Sequence, residues 1–280
     1  MIIDSHQHFW QYEPEKHAWI DDDMAVIRRD FMPKDLAKVL LENRVEGCIA
    51  VQADQTLAET DFLIELANKN SFIKGVVGWI DLRDPKVSKD LDRFEDIRIV
   101  IGFRLVVQGE PDHNFLLRAA FLEGIAQLQE RNFTYDILVF PHQLGAVLEF
   151  VKIFPNQKFV IDHLAKPYIK DGYFEGWATM MKAIARHENV HCKLSGMVTE
   201  ADYQNWRPEQ MHPYLNVVLE AFGPQRCMFG SDWPVCLAAG KYEQVKQLIE
   251  NHIKKLSVEE QDQIMGLNAL KFYAFQWINN

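Results

Sequence analysis

At 280 residues, with 48% hydrophobic and 25% charged residues, the chain can bury a full core and is unlike disordered, fibrous or disulfide-stapled sequences. The formal net charge of −10 argues against a nucleic-acid or anionic-membrane partner, and every apolar run falls short of the ~20 residues of a membrane span. The four cysteines, Cys48, Cys192, Cys227 and Cys236, form no Cys-x-x-Cys pair, and with no signal peptide recognisable they predict a reducing, cytoplasmic setting.

The chain opens with a short apolar run, residues 2–6, that leads into His6-Gln7-His8. Residues i and i+2 of a strand point to one face, so the two imidazoles project side by side from the strand's end. There they can share a metal ion, flank a substrate, or satisfy each other as a polar pair. The connection from Phe9 to Met32 is the longest without a clear pattern. It carries Trp10, Tyr12, Trp19 and the acidic triplet Asp21-Asp22-Asp23. Long loops in compact domains tend to be functional; the aromatics either pack the loop down or stack on a sugar-like ring, and the triplet reads as solvated.

Further β-rich runs follow at 45–52, 73–80, 97–106, 134–140, 158–161, 190–194 and 227–229. Between them lie amphipathic stretches at 33–43, 57–68, 85–94, 115–131, 143–154, 174–187 and 213–222, with 242–253 and 257–273 after the last run. Their apolar residues recur at i, i+3, i+4 and i+7, as in core-facing helices. Strand and helix alternating eight times predicts an α/β fold, a (β/α)8 TIM barrel in a single domain over 1–280. A doubly wound open sheet is the competing architecture, but its usual Gly-rich loop after the first strand is replaced here by His-x-His.

Active sites of such barrels lie at the C-terminal strand ends. In chain order those ends carry His6 and His8, Gln52 and Asp54, Trp79 and Asp81, Arg104 with Gln108 beyond, His142, Asp162-His163 with Lys166, Lys193 and Ser195, and Asp232. Histidines from the first and sixth strands and an aspartate from the eighth can surround one cation, a donor set that suits zinc.

The motifs Asp4-Ser5-His6-Gln7-His8-Phe9-Trp10, Asp162-His163-Leu164-Ala165-Lys166-Pro167, Lys193-Leu194-Ser195-Gly196 and Phe229-Gly230-Ser231-Asp232-Trp233-Pro234 together resemble the amidohydrolase superfamily, and within it the amidohydrolase-2 branch of sugar lactonases and 2-pyrone-4,6-dicarboxylate lactonase. The Trp10 loop and Gly102-Phe103-Arg104 are most similar to the L-fuconolactone and L-rhamnonolactone hydrolases of that branch. The resemblance implies a (β/α)8 barrel that hydrolyses an ester-like bond, with His6, His8, His163 and Asp232 on active-site positions. Two-metal members carry a bridging lysine or glutamate on the fourth strand. Arg104 stands there, and a cation cannot ligate a second cation, so one divalent, zinc-like metal or none is expected. Many relatives also place a histidine after this arginine, where this chain has Leu105.

Asp232 is then the expected general base, returning its proton to the leaving alkoxide. His6, His8 and His163 hold a metal with Asp232, or donate hydrogen bonds to the lactone carbonyl if none is bound. Arg104 and Lys166 suit substrate oxygens, unless they form structural ion pairs, for example with Asp162. Gln52, Gln108, His142 and Ser195 are candidates for hydroxyl recognition, and Trp10, Trp19 and Trp233 for stacking on a sugar face. The expected partner is a small-molecule sugar lactone, in a protein whose oligomeric state the sequence leaves open. Competing readings are a zinc-dependent decarboxylase of the same branch and a barrel that only binds a sugar acid.

Overall fold

Eight strands pair in chain order, each parallel to the next: β1 (Ile3–Gln7), β2 (Gly47–Val51), β3 (Ile73–Gly78), β4 (Val100–Val106), β5 (Thr134–Leu138), β6 (Phe159–Ile161), β7 (Val190–Leu194) and β8 (Cys227–Phe229). The computed structural model describes residues 1–273, so positions 274–280 of the expected domain lie outside the described residues. The helices that return the chain are α1 (Pro33–Glu42), α2 (Leu57–Lys69), α3 (Val87–Asp92), α4 (Ala119–Glu130), α5 (Leu144–Ile153), α6 (Glu175–Ile184), α7 (Pro208–Phe222) and α8 (Tyr242–Ile253), followed by α9 (Val258–Asp262) and α10 (Asn268–Phe272). The alternation gives the expected (β/α)8 barrel. No described helix is long and apolar enough to cross a membrane.

Three expected helices are drawn differently. Residues 115–131 divide into a 3-10 turn, Phe115–Leu117, and α4, because Arg118 between them is extended. The helix expected from Pro213 begins instead at Pro208, where a missing N–H costs nothing, and runs through Pro213. The final helix, expected over 257–273, is interrupted by a π-helical segment, Gln263–Leu267, where Gly266 passes so close to Met1 O that a Cβ would lie 2.5 Å from it.

The aromatic rings Phe121, Tyr135, Phe150 and Phe159 are fully buried in the core between sheet and helices. A second apolar cluster, with Ile49, Val51, Val77, Ile101, Val160 and Met228, lies against Phe272 and Tyr273 at the end of α10. The seam between β8 and β1 is joined past the end of β8. His8 N–H donates to Trp233 O at 2.7 Å and Asp232 N–H to His6 O at 2.8 Å. Behind this seam the buried Asp4 carboxylate accepts from Ser231 N–H (2.8 Å), Ser231 Oγ (2.5 Å), Tyr242 OH (3.0 Å) and His6 N–H (3.1 Å). Burial pushes this carboxyl up to about 6, against those hydrogen bonds.

Tyr242→Phe removes one donor from a buried carboxylate. It is expected to cost about 2 kcal/mol in urea unfolding and roughly 4 °C in Tm. An unchanged urea midpoint would remove Tyr242 from the seam.

Candidate active site

His6 is the fourth residue of β1, His8 follows its end, and both imidazoles are buried. His8 Nδ1 donates to Val51 O at 2.8 Å. A carbonyl only accepts, so the hydrogen sits on Nδ1 and the Nε2 lone pair faces the barrel mouth. That lone pair lies 3.2 Å from His6 Nε2 and 3.4 Å from Asp232 Oδ1. His163 Nε2 is 3.8 Å from the same carboxylate oxygen, with its Nδ1 held 2.8 Å from Ser195 Oγ. His6 Nδ1 is 3.3 Å from Asp162 Oδ1. Each of the three rings thus has its far nitrogen occupied and its Nε2 turned to one point.

Electron-rich atoms packed this closely call for positive charge or a proton among them; Arg104 Nη1, 3.2 Å from His6 Nε2, already brings a guanidinium to one edge of the group. His6, His8 and Asp232 each offer one ligand atom, all within 4.8 Å of one another. The donor chemistry, two or three imidazoles with oriented far nitrogens and one carboxylate, fits a single divalent ion. A second such group, His6, Asp162 and His163, has the same spacing. There, however, Arg104 Nη1 already lies 3.1 Å from Asp162 Oδ2 and Lys193 Nζ 3.0 Å from Asp162 Oδ1.

Burial pushes His6 well below the usual imidazole range and His163 down to about 4. Burial also disfavours charge on Asp232, but the surrounding imidazoles, His163 first and then His8 and His6, outweigh it and hold this carboxyl well below the usual carboxylate range. For Asp162 the same burial is overcome first by Lys193 and then by His6. Asp232 therefore stands ionised and acceptor-only at neutral pH.

Of these groups, His8, His163 and Asp232 line one wall of a cavity of about 440 Å³, with His6 and Asp162 buried behind them. Of the candidates for substrate contact, Arg104, Lys166, Gln108 and Trp19 line it as well. Arg104 is paired with Asp162, whereas Lys166 is paired with Glu200 at 2.8 Å. Glu200, Tyr203, Lys16 and Gln55, which also line the cavity, went unassigned in the sequence because they arrive on loops whose path no local pattern sets.

Five candidates are placed elsewhere. Gln52 is fully buried and braces Arg104, its O accepting from Arg104 Nη2 at 2.5 Å and its Nε2 donating to Arg104 O at 3.2 Å. Ser195 is fully buried behind His163. His142 starts α5's preceding turn, as its Pro-His-Gln setting implies, but is exposed and lies 2.9 Å from Tyr168 OH. Trp10 and Trp233 are core residues, not stacking platforms. Trp10 meets Phe31 edge-on at 5.5 Å and donates to Arg29 O, and Trp233 meets Phe31 at 5.2 Å. The loop between Phe9 and Met32 buries these rings to hold itself down.

The backbone under two of the reactive groups is left-handed. Asp232 has φ 58°, and His163, Leu164, Ala165 and Lys166 have φ of 53°, 53°, 57° and 47°. For residues other than glycine this conformation costs about 1–2 kcal/mol each.

An eight-stranded barrel with histidines on and just after its first strand, another just after its sixth and an aspartate after its eighth is the arrangement of a hydrolase site that could hold a metal ion. The chain belongs to the amidohydrolase family, whose sequence model matches residues 3–275. It is 38% identical to an L-fucono-1,5-lactonase of Burkholderia multivorans over 97% of this chain and 95% of the relative. An L-rhamnono-gamma-lactonase of Scheffersomyces stipitis is 26% identical over 64% of this chain and 60% of its own length. The crystal structure of an amidohydrolase from Burkholderia multivorans with bound zinc matches with a TM-score of 0.95 at 38% identity, covering 98% of this chain and 99% of that one.

Gly196 has φ 64°, and a Cβ there would lie 2.5 Å from His163 Nδ1. Gly196→Ala is expected to lower stability by more than about 1 kcal/mol in urea unfolding. Wild-type stability would show that the ring has room to move.

Proposed function

We propose that this chain opens a sugar-acid lactone, L-fuconolactone- or L-rhamnonolactone-like, by Asp232-assisted attack of water. The observation that carries the reading is the convergence of His6, His8 and His163 Nε2 on Asp232 Oδ1, at the wall of a cavity that also presents Arg104 and Lys166. The names of the two lactonase relatives support it.

Asp232, held ionised, takes a proton from water as the water oxygen attacks the lactone carbonyl carbon. The ring C–O bond then breaks, and the same proton passes to the alkoxide it leaves, so that lactone and water give one hydroxy acid. Lys166 offers a point charge, and Arg104 the edge of a guanidinium held by Asp162 and Gln52, to the substrate's hydroxyls and to the carboxylate that ring opening creates. Trp19, about half exposed at the mouth, offers a face to the sugar ring. Gln108 suits a hydroxyl.

His6, His8, His163 and Asp232 are the residues that would hold a divalent, zinc-like ion, which when bound supplies Lewis-acid polarisation of the carbonyl and a more acidic water. At most one ion fits this reading, because Arg104 and Lys193 already bring cationic groups to Asp162, the acidic member of the neighbouring donor group.

A panel of aldonolactones followed by pH-indicator proton release tests the activity. Turnover is expected on deoxyhexonolactones, and silence on every aldonolactone by folded protein would sink the reading. Asp232→Asn is expected to keep Tm within a few degrees while kcat falls by about 10²–10⁴-fold. Elemental analysis should find no more than one equivalent of zinc, and two would contradict the role given to Arg104.

A further inference from the structure

The segment Asp162–Ala165 and its C-cap Lys166 form a 3-10-type turn of the wrong hand: the four residues 163–166 are left-handed and include no glycine. Lys166 N–H donates to His163 O at 2.7 Å, closing an i to i+3 turn. Side chains three apart in such a turn lie on one side. His163 and Lys166 accordingly both face the cavity, while Leu164 and Ala165 are fully buried behind them. The turn thus couples the two groups: one backbone conformation sets both the imidazole beside Asp232 and the ammonium beside the substrate.

A turn this disfavoured persists only where its surroundings over-determine it. Pro167 bars Lys166 from the right-handed helical region. Ser195 holds the His163 ring and Glu200 the Lys166 ammonium; a further anchor, on the turn's own carbonyl, comes from outside the site. Trp177, in the first turn of α6, donates its indole N–H to Leu164 O at 2.7 Å. Its ring is 1% exposed and wedged between Phe174 and Tyr214, with centroids 6.0 and 5.0 Å away. Trp177 does not line the cavity.

We propose that Trp177 is a positioning residue for lactone hydrolysis, acting as the latch that keeps residues 163–166 left-handed and so aims His163 and Lys166 together. The inference rests on the functional reading above. Without the latch the turn relaxes, Lys166 leaves the substrate oxygens and His163 leaves Asp232, so binding and chemistry suffer together.

Trp177→Phe keeps an aromatic ring and removes the donor. Site-specific replacement by β-(3-benzothienyl)alanine keeps the bicyclic shape and removes only the N–H, so it serves if the phenylalanine variant does not fold. Expected are a Tm within a few degrees of wild type, a KM raised and a kcat lowered by about tenfold each, and a displaced 163–166 backbone in the variant's crystal structure. A tryptophan that merely supports the fold would reduce the amount of active enzyme and leave KM untouched. Wild-type KM and kcat in a folded variant, or a crystal structure with the turn unmoved, overturns the latch. If wild-type enzyme opens no lactone, the functional reading fails, and the position of the turn in the variant crystal still decides this inference.

Discussion

Asp232 N–H donates to His6 O, and His8 N–H donates to Trp233 O. These two bonds join the last strand's loop to the first strand, so closing the barrel and assembling the site are one event. His6 and Asp232 belong to opposite ends of the strand order β1 to β8. The seam brings them together, and its backbone pairing runs through the residues that carry the chemistry. Asp4 locks the seam from behind with four hydrogen bonds to its carboxylate. A carboxylate buried this completely is tolerable only because each lone pair has a donor.

The interior beneath the site follows a second constraint, the pairing of buried charge. Lys193 is fully buried beside Asp136 (2.5 Å) and Asp162 (3.0 Å), and Arg104 lies beside Asp162 (3.1 Å). Two acidic and two basic side chains balance where a barrel interior is normally apolar. Such pairs rarely add stability over well-packed hydrophobic residues. What they supply here is orientation: the Asp162 oxygen nearest Lys193 also faces His6 Nδ1, which turns His6 Nε2 toward His8 and Asp232. The same cationic groups occupy the acid that a second metal would need.

The barrel was legible in the sequence because its signals are local. Each strand appears as a β-rich run, and the period-2 geometry of His6 and His8 followed from the strand containing them. His163 and Asp232 were found because the motifs around them stand at strand ends, and strand ends converge in this fold. What stayed hidden depends on tertiary path. Trp10 and Trp233 share the composition of a sugar platform, but they meet at Phe31, twenty or more residues from either in sequence. Lys166, a candidate for substrate oxygens, lines the cavity, yet its partner Glu200 lies on the turn after β7, beyond reach of any spacing argument. The left-handed turn was invisible for a different reason. His-Leu-Ala-Lys contains no glycine, and Leu, Ala and Lys carry no preference for positive φ, so a run of four such residues has to be imposed by the surroundings.

That last absence has a physical consequence. A glycine in the turn would adopt positive φ without strain, but it would carry no functional side chain and would leave its neighbours free to move. His163, Lys166 and Asp232 instead stand on backbone that the rest of the protein must hold in place. The holding groups are ones with little chemistry of their own: Ser195 behind His163, Gly196 making room for its ring, Pro167 after Lys166, and Trp177 on the turn's carbonyl. Strain at the reactive residues and rigidity around them are therefore a single arrangement. A relaxed turn would be more stable locally and would point His163 and Lys166 in separate directions, so the fold's stability is spent where two side chains must aim at one substrate.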